Sequence, residues 1–144
     1  QIQHLMRVTY VTLVIYSYTG FGKQQLTIAV KKHDVDDRKA SRKALYTAYR
    51  VCAEAMRVAH GKEPKVSWRN CVEPEETQVW ETMLEIRRGV VMFQGAVSKV
   101  NEMLNFLDNE TKNLSSYNQL PNDISDETKK KLDRWFISLS LPEQ

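Results

Sequence analysis

The densest group of chemically able side chains is His33-Asp34-Val35-Asp36-Asp37, which sets one imidazole among three carboxylates. Zinc and di-iron centres need ligands that converge, usually from one face of a helix or from paired short spacings, and a single histidine in a polar connection lacks that spacing. The segment reads as the entry to a helix, where carboxylates meet the positive end of the macrodipole, and no metal is expected. His60 stands directly before Gly61, where a histidine interacts favourably with the last carbonyls of a helix. Gly20-Phe21-Gly22-Lys23 lacks the spacing of a phosphate-binding loop and reads as a turn. Glu81, Glu85 and Glu102 have no partner in a Glu-x-x-His pattern and read as surface charges. No serine or cysteine carries the local signature of an activated nucleophile, so the chain reads as non-enzymatic and no cofactor is expected.

A second group is cationic. Arg38, Lys39, Arg42 and Lys43 occupy two successive turns at the start of a predicted helix, with Lys31 and Lys32 just before them. Cations there oppose the helix dipole, so either the neighbouring aspartates neutralise them, as Asp34 would with Arg38, or they meet an anionic partner. An acidic protein surface, a phosphate backbone or an anionic membrane would each serve. The whole chain carries 21 basic and 18 acidic residues, a net charge of +3, which is modest for a dedicated nucleic-acid binder. Aromatic interleaving for base stacking is confined to Tyr46 and Tyr49, so nucleic acid is a possible partner but not the favoured one.

Cys52 and Cys71 are the only cysteines, without CxxC spacing. They read as two separate thiols, which points weakly to an intracellular setting; a Cys52–Cys71 bridge is the alternative and would imply an oxidising compartment. No stretch is apolar for long enough to span a bilayer.

The elements that must position these residues are mainly helical. With 144 residues and 42% hydrophobic content the chain is expected to form one domain, 1–144, with a core of its own. Residues 74–108 carry the most specific pattern: Val79, Met83, Ile86, Val90, Phe93, Val97, Val100, Leu104 and Leu107 recur at alternating intervals of four and three. Four heptads of that spacing predict one long helix with a continuous coiled-coil-like seam. Pro74 suits its first turn, with Glu75 and Glu76 beside it. Trp80, Met92 and Met103 flank the seam and are the candidate anchors for a protein partner or a second copy of the chain, although wide apolar stripes usually face a protein's own core.

A helix over 35–60 precedes it, with the small inward face Leu45, Ala48, Cys52, Ala55 and Ala59. A connection over 61–72 holds Pro64 and Trp68, and the tryptophan is expected to tuck back onto the bundle. Residues 109–122 read as a polar loop, and 125–140 as a last helix burying Leu132, Trp135, Phe136 and Leu139.

Residues 5–30 are dense in β-branched and aromatic types on either side of the glycine segment, which predicts a β-hairpin packed on the helices. The competing reading is a helix, because Leu5, Val8, Val11 and Ile15 fall three and four apart, and it would make the bundle all-α.

At 1.5 Å per residue an unbroken helix over 74–108 would be about 52 Å long, whereas a compact chain of this size has a diameter of roughly 37 Å. Gly89 and Gly95 offer places to bend. Without a bend, an uncovered seam would be a binding surface, and the chain would act as a protein-interaction or regulatory module, self-associating through the long helix.

Overall fold

The computed structural model describes residues 2–118 apart from 66 and 70, with side chains from Arg7 to Leu114. Four helices follow one another: α1 (Ile2–Asp34), α2 (Arg38–Ala59), α3 (Pro74–Arg88) and α4 (Phe93–Asn118). Among the described residues there is no strand, and the fold is a helical bundle. The expected last helix over 125–140 lies outside the described residues.

The expected β-hairpin over 5–30 is instead α1. Its buried seam is Thr12, Ile15, Thr19, Gly22, Leu26 and Ala29, again at alternating intervals of three and four. Two threonines and a glycine occupy seam positions, which hides the heptad from a count of apolar residues. Thr12 resolves its polarity inside the helix by donating to the Val8 carbonyl at 2.9 Å. Gly22 is no turn: a Cβ there would sit 3.1 Å from Cys52 Sγ and 3.5 Å from Leu104 Cδ2, so its small size lets α1 close on α2 and α4 together. Tertiary burial overrides the strand propensity of the β-branched residues around it.

Asp37 caps α2, its Oδ1 accepting from Ala40 N at 3.3 Å, which stabilises the start by about 1 kcal/mol. α2 packs against each of the other three helices. It is accordingly buried around most of its circumference, including the polar Ser41, Thr47, Arg50 and Glu54. At its end Gly61 takes φ +80 and Lys62 N donates to Arg57 O, reversing the chain. His60 closes this end as expected, and its ring lies parallel to Phe106 of α4 at 6.2 Å.

The single helix expected over 74–108 is two helices. Gly89 adopts φ +73 and ψ 22, its N–H donates to Ile86 O, and Val90 N donates to Glu85 O, a left-handed termination that only glycine adopts without strain. Val90, Val91 and Met92 cross to Phe93, where α4 begins and runs to Asn118, so residues 109–118, expected as loop, are helix. The heptad survives the break. Met83, Ile86, Val100, Leu104 and Leu107 are all buried, while Val90, in the corner itself, is 70% exposed. Breaking the helix lets α3 lie on α2 and α4 lie on both α1 and α2, so one chain covers a seam that a straight rod would leave open.

Candidate ligand-recognition site at the broken helix

The break at Gly89 faces the start of α2. Between them lies a cavity of about 250 Å³ lined by His33, Arg38, Ser41, Arg42, Leu45, Ile86, Gly89, Val91, Phe93 and Ala96. Its walls are apolar where α3, the connection after it and α4 contribute Ile86, Val91, Phe93 and Ala96, and cationic where α2 contributes Arg38 and Arg42. The His33 ring stacks flat on Phe93, centroids 3.8 Å apart and planes 5° apart, which joins the end of α1 to the start of α4 at the cavity edge. Ser41 Oγ donates to the Ala29 carbonyl at 2.8 Å, so its proton is engaged within the fold.

Arg42 is held by the break itself. A Cβ at Gly89 would lie 2.3 Å from Arg42 Nη1, so the guanidinium covers the bare Cα of that glycine. It therefore sits at the negative end of α3, where a cation is favoured, although the Glu85 and Ile86 carbonyls already accept backbone bonds. Among the described residues no carboxylate lies within ion-pair distance of Arg42, Lys39 or Lys43. Arg38 Nε contacts Asp36 Oδ1 at 3.2 Å, both groups well exposed, in place of the expected Asp34 pair. Such a pair is worth little in water and leaves the other guanidinium nitrogens open. Asp37 is engaged in capping α2. Residues 31–43 contain six basic and three acidic residues, an excess equal to that of the whole chain. Arg87 of α3 lies over the Tyr46 ring of α2, its guanidinium 4.8 Å from the ring centroid.

Of the four cations singled out from the sequence, Arg38 and Arg42 line the cavity, while Lys39 and Lys43 are exposed outside it. The three candidate anchors separate. Trp80 and Met103 are half-buried and pack against the core, whereas Met92 is 81% exposed in the corner beside Val90. Cys52 and Cys71 are two separate thiols. Cys52 is fully buried and burial pushes its thiol up to about 12. The lone imidazole of the 33–37 segment joins the cavity through its stack on Phe93. Among the described residues no group of three or more potential metal ligands comes together.

A second polar cluster went unread in the sequence. Glu54, buried on α2, accepts from Trp68 Nε1 at 2.8 Å and from Lys65 N at 2.6 Å. Glu76 on α3 accepts from Lys65 Nζ at 2.8 Å and pairs with Arg57. Arg57 and Lys65 lie 5.9 and 5.8 Å from the Trp68 ring centroid. The fully buried indole and its carboxylate acceptor fasten the connection between α2 and α3 to the bundle. These groups are satisfied by one another and are turned inward, so they act as a clasp. The signal available beforehand was only the isolated Trp68; nothing local marks Glu54 as its acceptor, because the two lie fourteen residues apart.

No protein family, characterised relative or solved structure matches the chain. No described helix is long and apolar enough to cross a membrane.

Proposed function

We propose that the protein is a non-enzymatic interaction module that docks an acidic, apolar-flanked segment of a partner protein on the corner where the heptad helix breaks. The observation that carries this is the juxtaposition of Arg42, which has no carboxylate partner among the described residues, with the break of the helix, where Gly89 and Val91 line the same cavity and Val90 and Met92 are exposed. Met83, Ile86, Val100, Leu104 and Leu107 of the seam are buried within the chain, which favours the corner and its basic rim over the seam as the surface for a partner. Charge complementarity selects an acidic partner, and the apolar corner adds the area that a purely electrostatic contact lacks. A nucleic-acid duplex fits less well, since it would use the cations and leave Val90 and Met92 without a role.

The test is selection from a displayed random-peptide library on the wild-type protein, with depletion on an Arg42→Glu, Met92→Asp double variant. Both side chains are exposed, so the variant keeps its core. Enrichment of sequences that set Asp or Glu beside a large apolar residue is the expected result. Peptides that bind wild type and double variant equally would contradict the reading.

A further inference from the structure

We infer that the cavity beneath the corner is a receptacle for a single amphiphilic anion, an aromatic or branched apolar body bearing a carboxylate, with the carboxylate on Arg42 and Arg38. This deepens the docking reading and rests on it: the partner's anchor would be a large apolar side chain with an acid adjacent. The volume decides the size of the body. A cavity of ~150 Å³ accommodates benzene, so about 250 Å³ holds a phenyl or indole group and part of its linker. The wall decides its character, because Leu45, Ile86, Val91 and Ala96 offer no polar atom of their side chains, and Phe93 offers a ring already stacked on one side by His33.

The head group follows from the two arginines. They lie four residues apart on α2, hence one above the other on the same face, and a guanidinium presents paired donors that match a carboxylate. Arg42 is pre-positioned over Gly89 and has no carboxylate partner among the described residues, so an incoming anion need not displace an existing ion pair from it. Arg38 would exchange a weak, exposed contact with Asp36 for the ligand. A bare phosphate would satisfy the cations and leave the apolar walls uncovered, which is why the carboxylate-bearing amphiphile is favoured over a free inorganic anion.

The probe is 3-phenylpropionate, titrated into the full chain while the methyl resonances of Leu45, Ile86 and Val91 are followed by NMR. Its uncharged amide, inorganic phosphate and a short peptide with Phe next to Glu provide the comparisons. Saturable shifts of those methyls with the acid and with the peptide are expected, little response to amide or phosphate, and binding about tenfold weaker in Arg42→Gln, the loss of one charge-assisted contact. Arg42→Lys should retain part of the affinity, which separates recognition from a folding defect. Wall methyls that do not move, or that move equally with the amide or with phosphate, would overturn the receptacle. Failure here together with successful peptide selection on the corner would remove the cavity and keep the docking surface; acid binding with no peptide binding would remove the docking reading instead.

Discussion

At the residue scale the two cysteines show how burial separates identical side chains. Cys52 lies against Gly22 and Leu104 with no exposed surface, whereas Cys71 is half-buried at the end of the α2–α3 connection. Burial raises the Cys52 thiol from its ordinary 9.0 to about 12, and it raises the Tyr18 hydroxyl as well. The folded state thus prefers both groups protonated. Their contribution to stability is complete below the unfolded values and is lost as pH climbs from 9.0 towards the folded values. In mildly alkaline solution iodoacetamide should modify Cys71 and spare Cys52 until the protein is denatured, as read by intact mass. Equal rates at the two thiols would contradict the packing of α1 on α2.

The separateness of those thiols and the basic start of α2 were legible as residue types. The exact partner of each charge was not, because Asp34, Asp36 and Asp37 are equivalent in sequence and only the backbone decides which caps and which pairs.

At the element scale the heptad over 79–107 was legible and its straightness was not. The spacing reports which residues face inward, and Met83, Ile86, Val100, Leu104 and Leu107 do so. It does not report whether the helix turns a corner between them. Length was the available clue, since an unbroken rod outruns a compact chain; Gly89 and Gly95 were both open to a bend, and it is Gly89 that turns. α1 failed for the opposite reason: its seam uses Thr12, Thr19 and Gly22, which a hydrophobic count scores as breaks.

Gly89→Ala discriminates the broken helix from a continuous one by sign. In a continuous helix alanine would stabilise by about 1 kcal/mol. In the left-handed conformation found here it costs about 1–2 kcal/mol, and its Cβ also collides with Arg42. The denaturation midpoint should therefore fall, and fall less in an Arg42→Ala background, where the collision is absent. A rise in midpoint would contradict the break.

At the scale of the whole molecule the break exchanges one surface for another. The seam closes on α1 and α2 within the chain, and the corner leaves Val90 and Met92 exposed next to Gly89 and Val91, which line the cavity that Arg38 and Arg42 also line. Light scattering over a dilution series in reductant should return a monomer, because the described part of the seam is buried within the chain. A mass that doubles at high concentration and is restored to monomer by Met92→Asp would show that the corner recruits a second copy in place of a foreign segment.

The corner as a docking site for an acidic segment is the claim on which the functional account turns. Its most direct measurement is the affinity of one selected acidic, apolar-flanked peptide for wild type and for Arg42→Glu, by titration calorimetry at low and moderate salt. The account predicts at least about tenfold weaker binding to the variant, the equivalent of one lost charge-assisted contact. It also predicts a shallow salt dependence in the wild type, as expected for one or two ionic contacts and unlike the steep slope of a multi-phosphate interface. Affinity unchanged by reversing the charge of Arg42 would contradict it.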